Sequence, residues 1–169
     1  YEVPLRMQEQ GLDATILRKL DMPVGETPGL GPWRSFLDRR HKATKEVNIG
    51  LVGKYDLQDA YKSILEALSQ AGTYNDLKVK SHFVNSEKLT PENVAETLKV
   101  YDGLVICPGF GQRGTEGKII AARYGREQNV PTFGICLGII LVLSSVLLSV
   151  LVKNLFLSVT VFNFYILSL

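Results

Sequence analysis

The sequence predicts an α/β fold: an open parallel sheet with helices on both faces, followed by a hydrophobic C-terminal tail. Two observations carry that prediction. Short apolar runs rich in β-branched residues alternate with helical patterns in the order β-α-β-α-β-loop-α-β, and such alternation builds parallel sheets covered on both sides. The last run, Val130-Pro131-Thr132-Phe133, enters a Gly134-Ile135-Cys136-Leu137-Gly138 turn. A strand-to-helix corner of this type thrusts one side chain outward from the sheet edge.

Residues 1–22 place Leu12, Ile16, Leu17 and Leu20 at helical spacing, which predicts a short amphipathic helix. Too little surrounds it to build a core, so it is expected to end an upstream domain, and the chain, starting at Tyr1, to begin inside a longer protein. No basic segment precedes an apolar core, so no signal peptide is expected. Residues 23–46 hold Pro23, Gly25, Pro28, Gly29, Gly31 and Pro32, then the charged run Asp38-Arg39-Arg40-His41-Lys42; by composition this is a linker, with Trp33 and Phe36 pinning it to a neighbouring surface.

Val47 to Gly53 is a β-rich run followed by Lys54-Tyr55-Asp56. Asp59 is positioned to cap the next helix, whose stripe is Ala60, Ile64, Ala67, Leu68 and Ala71, with Gly72 as its end. Leu77 to Val84 alternates like a half-buried strand. Thr90-Pro91-Glu92-Asn93 starts a helix with Val94, Leu98 and Val100 inward. Asp102 to Cys107 is a fully apolar strand. A Gly-rich loop, Pro108 to Gly114, leads into a helix over 115–127 with Ile119, Ile120 and Tyr124 inward.

The chain has 169 residues, of which 46% are hydrophobic and 21% charged, enough for one ordinary domain. Of the 19 Lys and Arg only Lys153 lies beyond Gly138, and none of the 17 acids does. The remainder is nearly neutral, which gives no electrostatic reason to expect nucleic acid. Two cysteines make no disulfide framework, so a reducing, cytoplasmic setting is expected.

Parallel sheets place their sites beyond the carboxyl ends of the strands, which puts the 108–114 loop and Cys136 on one edge. A nucleophilic cysteine needs exposure at a turn, a base, and N–H donors for an oxyanion. Gly134 and Gly138 supply room for the turn, and the helix N-terminus favours a thiolate. Leu137 N–H and Gly109 N–H are candidate donors. No base is evident: His41 lies in the linker and His82 on a strand, where a local hydrogen bond is expected. Cys107 is expected to be core packing, and Lys54 and Arg113 solvated, with Arg113 at a rim where an anion could meet it. Gly109 to Gly114 fits neither the P-loop nor the dinucleotide spacing. No metal site is expected.

Val52-Gly53-Lys54-Tyr55, Asp59-Ala60-Tyr61-Lys62-Ser63, Glu66-Ala67-Leu68, Pro108 to Lys118 and Gly134 to Gly138 together resemble the CTP synthase family, and within it the class I glutamine amidotransferase domain. The resemblance covers residues 1–138: 1–22 look like the end of the synthetase (amidoligase) domain, 23–46 like the interdomain linker, and 47–138 like the N-terminal half of the amidotransferase domain. It implies Cys136 as the nucleophile that hydrolyses glutamine. It implies Gly109, Leu137 and Gly138 as backbone holders of glutamine and its oxyanion. Phe110, Gly111, Arg113, Gly114 and Glu116 would belong to a mobile lid beside the glutamine and GTP sites. In the family the ammonia passes to the synthetase domain and aminates UTP with ATP and Mg2+, GTP stimulates the glutaminase step, and the enzyme is a homo-tetramer.

Departures accompany the matches. The family's Pro-Gly-Gly-Phe-Gly stands here as Cys107-Pro108-Gly109-Phe110-Gly111, with proline for one glycine, and Ile139-Ile140 follow Gly138 where the family has Met-Gln. The family's later His and Glu, which complete the triad, have no counterpart here, so the domain is expected to be truncated and the chain alone inactive. Residues 139–169 hold 22 apolar residues in 31, with a narrow alphabet of the kind AT-rich DNA gives when read in a wrong frame, and are expected to be an abnormal end. The other readings of the chain are a small cysteine hydrolase of the same superfamily and a non-enzymatic regulatory fragment whose tail contacts a membrane.

Overall fold

The computed structural model describes residues 1–25, 29–55 and 58–166, with the backbone alone at 58 and over 152–166. Pro28 of the expected linker and residues 167–169 of the tail lie outside the described residues. The chain divides into two compact units, Tyr1–Lys45 with Ser69–Lys78, and Glu46–Leu68 with Val79–Leu169.

In the first unit the single helix expected over 1–22 is two, α1 (Val3–Glu9) and α2 (Leu12–Lys19), broken at Gly11, whose φ of 67° only glycine takes up without cost. Neither helix has a buried residue, and Leu12, Ile16 and Leu20 are exposed. The segment with linker composition contains a third helix, α3 (Gly31–Lys42), with Pro32 in its first turn, where a missing N–H is harmless. Trp33 stacks on Phe36 at 5.2 Å and on Tyr1 at 6.2 Å, and its indole donates to Tyr1 O, so its work is packing. Arg39 grips Asp76 with two hydrogen bonds of 2.9 and 3.0 Å and also donates to Tyr74 O.

The second unit holds the sheet, in order β2-β1-β3-β4: β1 (Lys45–Gly53), β2 (Leu77–Asn85), β3 (Gly103–Ile106) and β4 (Thr132–Gly134). β1 and β3 run parallel with Val52 opposite Ile106, and β3 and β4 run parallel with Ile106 opposite Gly134. Successive residues point to opposite faces. Val52, Leu104 and Ile106 therefore meet Leu98, Ala121 and Ala122 on one side, while Leu51, Val105 and Cys107 meet Tyr61, Ile64, Leu65 and Leu68 on the other. Each fully buried aliphatic side chain contributes about 1.5–3 kcal/mol.

The covering helices are α4 (Lys62–Tyr74), α5 (Val94–Leu98), α6 (Thr115–Glu127) and α7 (Leu137–Ile166). Asp59 does not cap α4: it lies inside a 3-10 turn, Gln58–Tyr61, that runs straight into the helix. The inner stripe of α4 is Ile64, Leu65 and Leu68 rather than Ala67 and Ala71, which are exposed, and Gly72 is buried within the helix instead of ending it. Val94 and Leu98 face inward as expected, whereas Val100 is exposed just past α5. α6 has the expected bounds, and Ile120 and Tyr124 pack against the core as expected, but Ile119 is exposed, and the fully buried face is Gly117, Lys118, Ala121, Ala122 and Gly125. Two close approaches require the glycines of that face. A Cβ on Gly117 would stand 1.7 Å from Ser86 O, and one on Gly125 would stand 2.0 Å from Thr132 Oγ1.

α7 carries the chain out of the site. Val142 packs against the core, and Arg126 of α6 donates to Ser145. Beyond that contact Leu147, Leu148 and Leu151 are exposed. Among the described residues, no helix is long and apolar enough to cross a membrane.

Candidate active site

β3 and β4 are adjacent and parallel, so the segments leaving their carboxyl ends emerge side by side. Ile135 N–H donates to Ile106 O at 3.1 Å, which carries the ladder one residue past β4 and brings the two exits into register. The chain then turns within a single residue. Cys136 has φ 57°, a left-handed conformation that costs a side-chain-bearing residue about 1–3 kcal/mol. Gly138 N–H donates to Ile135 O and Ile139 N–H to Cys136 O, closing the first turn of α7.

The flanking glycines are steric requirements. A Cβ on Gly134 would stand 2.4 Å from the carbonyl of Gly138, and a Cβ on Gly138 would stand 2.1 Å from Ile106 O. The outcome is an exposed thiol at a helix N-terminus, held by a strained backbone. Leu137 opens the helix, where a backbone N–H has no partner within the helix. Gly138 N–H is already engaged by Ile135 O.

Facing this corner is the loop that leaves β3. Gly109, Gly111 and Gly114 have φ of 123°, 95° and 71°, so the loop takes conformations open chiefly to glycine. Gly114 is the residue before α6, and Thr115 ties back to Gly111 O at 2.7 Å. Phe110 is 71% exposed at the tip. Arg113 pairs with Glu87 at 3.1 Å and lies over the Tyr55 ring; Glu116 is exposed in the first turn of α6.

Two residues have a larger part here than their sequence context indicates. Lys54, expected to be solvated, is 7% exposed, and its ammonium donates to Phe110 O. Lys118 is fully buried, donating to Pro108 O at 3.2 Å and to Gly109 O at 3.5 Å. Burial pushes the Lys118 ammonium below its ordinary pKa, Cys107 and Cys136 pull it up, and Lys54 pushes it further down. The signal for Lys118 was its place in the run of small residues on α6, a stripe that hydropathy passes over. Cys107 is buried as expected, and burial raises its thiol to about 12, with Lys118 acting in the opposite direction. His82 Nε2 lies 3.0 Å from Asn48 Oδ1, the local bond expected of it, and His41 lies 3.8 Å from Glu2. Among the described residues, no cluster of His, Cys, Asp or Glu is arranged to hold a metal ion.

A parallel sheet with a strained, glycine-flanked cysteine at its carboxyl edge is the framework of a class of hydrolytic and amide-transferring domains. The family described as glutamine amidotransferase class-I matches residues 56–153, and the chain belongs to that family. That match continues into α7, past Gly138. Curated relatives are CTP synthases: that of Bacteroides thetaiotaomicron is 74% identical over 140 residues, and that of Porphyromonas gingivalis strain W83 is 57% identical over 139. Both matches cover 82% of this chain, but the chain spans only 26% of either relative's length. Among solved structures, the glutaminase domain of Trypanosoma brucei CTPS with bound acivicin is similar at a TM-score of 0.51 and 36% identity, covering 56% of this chain and 38% of that one.

Proposed function

We propose that this chain belongs to the glutamine-hydrolysing part of a CTP synthase, with Cys136 as the nucleophile. The observation that carries the reading is the left-handed Cys136 between two glycines that admit no side chain, set beside the glycine loop of β3. The Cys136 thiolate attacks the side-chain amide carbon of glutamine. The charge moves to the amide oxygen, where the N–H groups of Gly109 and Leu137 receive it, Gly138 shaping the pocket beside them. The C–N bond breaks as the nitrogen takes a proton, ammonia leaves, and a γ-glutamyl thioester remains. Water then attacks that carbonyl, the C–S bond breaks, and glutamate and the thiol are released. Phe110, Gly111, Arg113, Gly114 and Glu116 form the lid over the bound amino acid and the edge of the GTP site.

Proton transfer in this scheme falls to the His and Glu that the family carries downstream of the elbow. In the whole protein the ammonia aminates UTP with ATP and Mg2+, GTP acts as activator, and the assembly is a cytoplasmic homo-tetramer. The Mg2+ and ATP sites belong to the synthetase part of that protein. The region 1–22 closes the synthetase domain, an assignment supported by the exposure of Leu12, Ile16 and Leu20 in helices with no buried residue.

The test is covalent. Incubation of the chain with acivicin, followed by peptide mass spectrometry, is expected to modify Cys136 and spare Cys107, and excess glutamine is expected to protect. Modification that glutamine does not slow, or that persists in C136S, would sink the assignment.

A further inference from the structure

The loop that supplies the proposed oxyanion donor has three glycines of positive φ within seven residues, so it is free to turn its peptide groups over. Its orientation is fixed from beneath. The carbonyls of Pro108, Gly109 and Phe110 are consecutive, and each accepts from a buried ammonium: the first two from Lys118, the third from Lys54. A trans peptide is planar, with its C=O and the following N–H pointing in opposite directions. Holding Pro108 O toward Lys118 therefore sends Gly109 N–H the other way, and holding Gly109 O does the same for Phe110 N–H.

We propose that Lys118 and Lys54 are positioning residues for glutamine hydrolysis, which by gripping three successive carbonyls hold the Gly109 peptide with its N–H presented as the oxyanion donor. The inference rests on the reading of Cys136 as the glutamine nucleophile. Contacts around the loop agree with it. A Cβ on Gly109 would meet Lys54 Cε at 3.1 Å and Lys118 Nζ at 3.8 Å, so the two side chains press against the backbone they hold. An ammonium has three donors and no acceptor, which lets one Lys118 serve two carbonyls. A fully buried cation is expensive to keep, and an apolar side chain of equal length would pack in α6 more cheaply. Burial lowers the Lys118 pKa, the direction a desolvated cation takes, while Cys136 acts on the same ammonium in the opposite direction.

The experiment compares two reagents at Cys136 in the full chain and in K118M and K54M. When the thiolate adds to the C=N carbon of acivicin, negative charge builds on the ring nitrogen, where the donor site can receive it, and chloride then leaves as the C=N bond re-forms. Iodoacetamide loses iodide directly and needs only an exposed thiolate. In K118M the second-order rate with acivicin is expected to fall about tenfold or more, while the iodoacetamide rate stays within about twofold of the wild type. An unchanged ratio of the two rates, or an equal fall in both, would overturn the positioning role, the second outcome meaning that the elbow itself had collapsed. Labelling of Cys107 in native buffer reports loss of the fold; if K118M shows it, K54M carries the same comparison, and if both variants show it the lysines are structural and the proposal fails. Absence of glutamine-protected acivicin labelling in the wild type sinks the reading of the site and this inference with it. Protected labelling with unchanged ratios sinks this inference alone.

Discussion

Gly138 and Ile106 approach so closely that a Cβ on the glycine would stand 2.1 Å from the Ile106 carbonyl oxygen. That contact sets the start of α7 against the end of β3, and Gly134 lies similarly close to the Gly138 carbonyl, with the left-handed Cys136 between them. The neighbour in each case is backbone, which has no rotamer to give. G138A is therefore expected to cost about 3 kcal/mol by urea unfolding and to abolish selective Cys136 labelling. G31A, at an α3 position where a Cβ meets nothing within 4 Å, is the control and is expected to change stability by less than about 1 kcal/mol. Equal effects at the two sites would disprove the steric account.

The two cysteines are chemically distinct although they leave neighbouring strands. Cys136 is exposed; Cys107 is buried on the α4 side of the sheet, and its thiol is raised to about 12. Only a thiolate reacts, so an aromatic disulfide reagent at pH 8 is expected to titrate one thiol in the native chain and the second only with denaturant. C136S is expected to remove the fast phase completely. Two thiols reacting at one rate would mean that the α4 side of the core is open.

How far the sequence carried the fold depended on how local each signal was. The elbow was legible because two glycines and a cysteine within five residues are sufficient to define the turn. α6 was legible in extent and partly in orientation: Ile120 and Tyr124 pack against the core, but Ile119 is exposed, and the close approach of Ser86 and Thr132 requires Gly117 and Gly125 on the buried face. Lys118 was legible only through its place among Gly117, Ala121 and Ala122, since hydropathy assigns any lysine to solvent. α3 was hidden because Gly31-Pro32 reads as loop when it is in fact the start of a helix. What local patterns miss is set by backbones meeting from distant parts of the chain.

The α7 surface gives a prediction about association. Leu143, Leu147 and Leu151, four residues apart, are 62%, 61% and 57% exposed and form one apolar stripe. A contiguous surface of this kind draws copies together in water. The chain is expected to sediment as assemblies larger than a monomer, and the triple change L143K, L147K and L151K to shift it toward monomer without altering Cys136 labelling. A monodisperse monomeric wild type would contradict this.

Cys107 also ties stability to pH, with a sign that follows from its environment. The ordinary thiol value is 9.0, and burial raises it to about 12 in the fold. Below pH 9 both the folded and the unfolded chain hold the proton, so the contribution is constant. Between the two values the unfolded chain releases the proton while the folded chain keeps it, so stability falls as pH rises, by up to about 1.4 kcal/mol per unit. Lys118 works in the opposite sense, because its lowered folded pKa means that the unfolded chain is the one holding the extra proton just below 10.5. Comparing the wild type with C107A removes the thiol together with its upward pull on Lys118, so the difference between the two curves reports Cys107 and its coupling to that ammonium. Urea midpoints measured from about pH 8 to about pH 11 are expected to fall faster for the wild type than for C107A, with the curves parting near pH 9. Parallel curves over that range would mean that Cys107 ionises as readily in the fold as out of it, and would overturn the effect ascribed to its burial between β3 and α4.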